Sequence, residues 1–324
     1  MPFKKSSLIA YIILFCATGE LLVRLDQSWD PLNHAPQIIS IETEESIIKQ
    51  AIDKDQFQTN ERQLRIMILG DSYIYGGGIN PWEKFSKQLP NFLKNGTFAN
   101  RELCILDVSR PSNNTLDNAL TLAHYGPRFK PHIVFWAYNY NDILGGLKQD
   151  QNNQNSPSVT APKRTKKKIT GLKSITKRIY NASQLLSYLS HSLQNELKLR
   201  GITPPFGDFH DLTQKAYQTN SPAWQETQTL LKEATRQCQD IGCRLILYKL
   251  PEFNLLESPK LFRKVDEQMD GFCNQLPLTY RNGLNDFDRS VGQDFRISKY
   301  DGHPNARAHQ KLAEIAAALI QDPN

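Results

Sequence analysis

The chain has 324 residues, a formal net charge of +6 from 39 Lys and Arg against 33 Asp and Glu, and five cysteines. That length buries a core without crosslinks, which excludes a scaffold held by disulfides alone. The cysteines Cys16, Cys104, Cys238, Cys243 and Cys273 form no CxxC and have no histidine pair nearby, which excludes the common zinc spacings.

At the N-terminus, Lys4 and Lys5 precede an apolar run from Leu8 to Val23. Residues 1–25 read either as an uncleaved signal anchor, a little short of a comfortable span of about 20 residues, or as a signal peptide with small residues at Ala17-Thr18-Gly19. Both keep the lysines inside and place the remaining chain on the periplasmic or extracytoplasmic side. Continuation of the apolar run past the small residues favours the single-pass anchor. Residues 26–62 are polar and read as a tether with a short helix near Glu44 to Ile52.

A domain over residues 63–324 follows. Leu64 to Leu69 is a short apolar run closed by Gly70, the pattern of a buried strand. Trp82, Phe85, Leu89 and Leu93 carry helical spacing. A second strand is expected at Leu103 to Val108, then a helix marked by Leu116, Leu120 and Ala123. A third strand is expected at His132 to Tyr138. Residues from about 145 to 220 differ in character: a Gln/Asn-rich stretch, the basic run Lys163 to Arg178, and a helical stretch from Ile175 to Leu199 read as an insertion. Pro222 opens a helix that Gly242 stops. A fourth strand covers Arg244 to Leu250, a helix Pro259 to Cys273, a fifth short strand Leu284 to Phe287, and a closing helix Asn305 to Ile320. Strands alternating with helices imply a flavodoxin-like three-layer α/β/α sandwich around a five-stranded parallel sheet, with a helical insertion and an N-terminal membrane helix. Cys104 reads as a small buried hydrophobe. Cys238 and Cys243 straddle a helix end and a strand start, and whether they pair stays open at this level.

Candidate chemistry collects at the strand ends. Gly70-Asp71-Ser72 follows the first strand, where a serine entering a helix exposes its hydroxyl. Ser109 to Thr115 follows the second and can present a backbone N–H, though Asn114 or Thr115 as a helix cap accounts for it equally. Asn139-Tyr140-Asn141-Asp142 follows the third, where a side-chain amide suits an oxyanion. Asp301-Gly302-His303-Pro304 precedes the last helix, where an imidazole with a nearby aspartate suits a base held in one tautomer. In an α/β sheet these positions face one crevice. Nucleophile, base, orienting carboxylate and oxyanion donors together are what ester chemistry needs.

On these segments, from about 64 to 144 and 222 to 320, the chain resembles the SGNH hydrolase superfamily, also called GDSL lipases and esterases, in a membrane-anchored bacterial form. The resemblance implies Ser72 as nucleophile, His303 as base and Asp301 as its carboxylate. It implies an oxyanion hole from the backbone N–H groups of Ser72 and Ser112 and the side chain of Asn141. Ser112 and Asn139 stand where the family has glycine. The Asp301–His303 spacing is one residue shorter than usual, which leaves Asp294 or a backbone carbonyl as other holders of the ring. The implied activity is removal of an acyl group from a carbohydrate or lipid ester at the cell envelope. An O-acyltransferase on an envelope polysaccharide and a non-catalytic scaffold are the alternatives. No metal or organic cofactor is called for. The basic run reads as a solvated face or as contact with anionic lipid headgroups. No nucleic-acid motif accompanies it. Tyr73, Tyr138 and Tyr140 flank the expected site, as pocket walls or as packing.

Overall fold

In the computed structural model of the chain, the residues described are 44–145 and 209–322, apart from 95, 96, 99, 258–261, 299 and 300. Strands β1 (Gln63–Leu69), β2 (Glu102–Asp107), β3 (Ile133–Tyr138), β4 (Arg244–Lys249) and β5 (Thr279–Asn282) form one sheet in the order β2-β1-β3-β4-β5. Every neighbouring pair is parallel. A parallel sheet needs helical crossovers, and these cover both faces, so its inner strands β1, β3 and β4 are buried on both sides along nearly their whole length. Alternation along β1 shows the two layers. Leu64, Ile66 and Ile68 pack towards α3 (Phe85–Leu93) and α8 (Ala306–Gln321). Met67 and Leu69 pack towards α1 (Glu44–Asp53), α4 (Thr115–Phe129), α6 (Pro222–Ile241) and α7 (Arg263–Cys273). A one-turn helix, α2 (Ser72–Tyr75), follows β1, and α5 (Phe209–Ala216) precedes α6.

Several expectations change. The fifth strand lies at Thr279–Asn282, not at Leu284 to Phe287. It is a short, half-exposed edge strand of polar residues, and the apolar signal came from Phe287, which is buried in the layer beneath the sheet. On α4 the buried face is Thr115, Asn118, Ala119, Leu122, Tyr125 and Phe129, while Leu120 is exposed. The Leu116, Leu120, Ala123 stripe therefore marked the helix but not its packed face. Helix α1 buries Ile48 and Ile52 in the core, so the domain begins inside the stretch read as tether. Likewise Thr213, Ala216 and Tyr217, at the end of the stretch read as insertion, are buried, and Ala216 and Tyr217 join the same core. The N-terminal segment 1–25, the basic run Lys163 to Arg178 and the helix expected at Ile175 to Leu199 lie outside the described residues. Among the described residues no helix is long and apolar enough to cross a membrane.

The strand order places a topological switch between β1 and β3. From β1 the chain turns outward to β2; from β3 it turns the other way to β4. Loops leaving the carboxyl ends of β1 and β3 therefore diverge and leave a crevice between them.

Candidate active site

Ser72 enters that crevice directly from β1. It is the first residue of α2, and Asp71 is the cap, its Oδ1 accepting from the Tyr73 N–H at 2.9 Å. An aspartate cap satisfies an otherwise unpartnered helix donor. Asp71 is 1% exposed. Its other oxygen faces Asn139 Nδ2 at 3.4 Å, and the side chain of Asn141 bonds the same carboxylate. Burial raises the pKa of Asp71, and these hydrogen bonds work against that rise.

His303 arrives on a turn whose flanks, Arg296 and Pro304, bridge antiparallel. The Ile297 N–H donates to the His303 carbonyl at 2.9 Å. Asp301 Oδ1 accepts from the His303 backbone N–H at 3.0 Å and lies 2.6 Å from its Nδ1. One carboxylate oxygen thus closes the local turn and holds the ring, which is how the short spacing works: the aspartate reaches its partner from two residues away by bending over its own backbone. At Gly302 between them the Asn254 amide takes the place of a side chain: a Cβ there would sit 2.0 Å from Asn254 Nδ2 and would have to displace it. On the far side of the ring, Nε2 is 3.0 Å from Ser72 Oγ. With Nδ1–H directed at the carboxylate, Nε2 carries the lone pair and the serine hydroxyl donates to it; this tautomer follows from the partners. The Asp301 hydrogen bond raises the pKa of His303 above its ordinary 6.5, against burial, which lowers it. Asp294 does not hold the ring; it pairs with Arg307 at 2.9 Å.

The structure therefore joins Ser72, His303 and Asp301 directly and links Asn141 to Ser72 through Asp71. Ser112 sits on the turn after β2, which the Arg110 N–H pins to the Gly70 carbonyl at 3.2 Å. Its φ is +69°, the left-handed region. The turn thus keeps the conformation glycine adopts freely, with a serine in it. Asn139 is not among the described residues with positive φ, so its backbone asks nothing of glycine.

Two residues had no assigned role in the sequence. Glu252, just past β4, is buried and accepts from Tyr73 Oη at 3.0 Å. The Tyr73 ring lies 5.0 Å from the His303 ring, centroid to centroid. Burial raises the pKa of Glu252, while Tyr73 and the nearby His303 oppose the rise. The signal for it was positional: it occupies the end of β4 as Ser72 and Asn141 occupy the ends of β1 and β3. The second is Lys249, fully buried at the last position of β4 and ion-paired with Asp266. Its Nζ is 3.0 Å from Tyr140 Oη, and Tyr140 also donates to Asp266. This cluster braces the loop that carries Asn141. Tyr138 and Tyr140 are buried and serve as packing, not as pocket walls.

No family model matches the chain, and no curated protein does. Solved structures do. TesA is 12% identical, with 79% of this chain and 97% of that one covered and a TM-score of 0.45. The psychrotrophic esterase EstA from Pseudoalteromonas sp. is 13% identical, covering 80% and 96%, with a TM-score of 0.44. Axe2, an acetylxylan esterase from Geobacillus stearothermophilus, is 11% identical, covering 79% and 93%, also with a TM-score of 0.44. At these identities and scores no chemistry is carried over from them, and the site is read from its own atoms.

The left-handed backbone at Ser112 yields a test. A non-glycine residue there costs about 1–2 kcal/mol, partly offset by the greater unfolded-state freedom of glycine. Ser112→Gly is expected to stabilise the fold by about 0.5–1 kcal/mol, read as a higher midpoint in thermal unfolding. An unchanged or lower midpoint contradicts the strained turn.

Proposed function

We propose that the protein is a serine-dependent ester hydrolase that removes an acyl group from a carbohydrate or lipid ester at the cell envelope. The observation that carries the reading is the continuous line from Asp301 through His303 to Ser72, 2.6 Å at Nδ1 and 3.0 Å at Nε2. His303 Nε2 takes the hydroxyl proton as Ser72 Oγ attacks the ester carbonyl. The resulting imidazolium, stabilised by Asp301, returns the proton to the departing alcohol oxygen. Water, deprotonated by the same nitrogen, then releases the acid from acyl-Ser72. The proposed oxyanion donors are the backbone N–H groups of Ser72 and Ser112 and the Asn141 amide, whose nitrogen has a second hydrogen beyond the one given to Asp71. One such donor is worth about 3–4 kcal/mol of barrier.

Placement at the envelope, with the domain outside the cytoplasm and basic residues near anionic lipid, rests on Lys4, Lys5, the apolar run Leu8 to Val23 and the run Lys163 to Arg178. Acyl transfer to an envelope polysaccharide uses the same steps with a sugar hydroxyl in place of water.

Ser72→Ala is expected to lower turnover of short-chain nitrophenyl esters by about 10³-fold or more. Turnover equal in variant and wild type rejects Ser72 as nucleophile, and no turnover in either favours a non-catalytic scaffold. Product analysis with an added acetylated oligosaccharide and a free acceptor separates the two enzymatic readings: free acid marks the hydrolase, acylated acceptor the transferase.

The base must be neutral to act. Because Asp301 raises the pKa of His303, kcat/KM is expected to climb with pH through a midpoint above 6.5. Asp301→Asn removes the charge that favours the imidazolium, so the midpoint should move down while the plateau falls. A pH profile whose midpoint does not move in that variant counts against Asp301 as the orienting group.

A further inference from the structure

Helix α6 ends in a left-handed cap at Gly242, with φ +71°. The Gly242 N–H donates to the Gln239 carbonyl at 3.1 Å and the Cys243 N–H to the Cys238 carbonyl at 2.8 Å. This paired 5→2 and 6→1 pattern is the Schellman motif, in which the side chains of the first and last residues meet. Those residues are Cys238 and Cys243. The 2.8 Å bond and standard bond lengths hold their Cα atoms within about 6.7 Å of each other. A disulfide needs about 4.4–6.8 Å. Both residues are free thiols here and line one cavity of about 430 Å³, with Thr235, Gln239 and Arg244 among its other walls. Cys238 is buried, whereas Cys243 is partly exposed.

From this arrangement we propose that Cys238 and Cys243 are a disulfide-forming site, closing the end of α6 onto the start of β4 when the chain meets a small-molecule disulfide. The Cys243 thiolate attacks one sulfur of the disulfide and displaces a thiolate, leaving a mixed disulfide at residue 243. Cys238 then attacks Cys243 Sγ and displaces the second small thiol. The bond of the reagent is broken, the Sγ–Sγ bond is formed, and the two protein protons end on the two released thiols. The order follows from access, and also from the Cys238 thiol itself, whose pKa the hydrogen bond it donates to the Cys243 sulfur and then burial push up. The site lies at the amino-terminal edge of β4, whereas Ser72 and Asn141 follow carboxyl ends of strands, so the crosslink leaves the catalytic crevice untouched. It also matches an extracytoplasmic setting, where such bonds persist.

The whole protein is equilibrated in oxidised and reduced glutathione at graded ratios, acid-quenched, alkylated under denaturing conditions and cut with trypsin. Cleavage after Arg236 and Arg244 places both residues in one peptide, Gln237–Arg244. The expected result is that peptide unalkylated and lighter by two hydrogens, at ratios where Cys104 and Cys273 still carry the alkyl group. Cys243→Ser should give the same peptide alkylated at Cys238. Full alkylation of the wild-type peptide at every ratio, glutathione retained on either residue as the final state, or Cys238 joined to another cysteine overturns the proposal.

Discussion

Asp71 is a carboxylate with almost no contact with water, and groups from two strand ends converge on it. Burying such a group is costly unless its lone pairs are filled. Here they are filled by the Tyr73 N–H, Asn139 Nδ2 and the Asn141 side chain. The first bond starts the helix that carries Ser72. The others hold the loop after β3. The position of Ser72, the proposed nucleophile, relative to the candidate oxyanion amide is therefore set by a single side chain, and satisfying a buried carboxylate favours both attachments. The glycine-aspartate-serine order at the end of β1 acquires its meaning from this: the serine is displayed and the aspartate fastens the display to the neighbouring strand.

His303, the proposed base, comes from far away in sequence, and separate devices fix it. Asp301 holds the ring from within its own turn. From outside, Tyr73 lies against the imidazole and is itself held by Glu252, while Asn254 fills the space above Gly302. The residue after Ser72 thus also supports the His303 ring. These supports hold residues on separate elements in a 3.0 Å contact.

Much of this was legible in the residues because the sheet is parallel and covered on both faces. Burial on both sides makes the middles of β1, β3 and β4 apolar, interrupted only by Arg65 in β1, and such runs can be read without knowing their neighbours. The same reasoning fails at the edge, where β5 is polar and the apolar residues beside it pack below the sheet. It fails on α4 because Leu120 obeys helical spacing yet faces outward; periodicity gives the helix, while which stripe is buried depends on the partner. Placing Ser72, Asn141 and His303 at strand ends and the last turn required only the order of elements. Whether Asp301 reaches the ring required the turn geometry, since one carboxylate oxygen bonds both the backbone and the ring. Glu252 and Lys249 sit at the end of β4, in a segment that looked like ordinary strand and loop, and their roles depend on burial that no local pattern announces.

If the imidazole beside it makes the Ser72 hydroxyl nucleophilic, a fluorophosphonate reagent followed by peptide mapping will find it. One adduct per folded chain is expected, on Ser72, forming faster as His303 loses its proton and not forming after denaturation. An adduct on another residue, or no adduct on a folded protein at a pH where the imidazole is neutral, contradicts it.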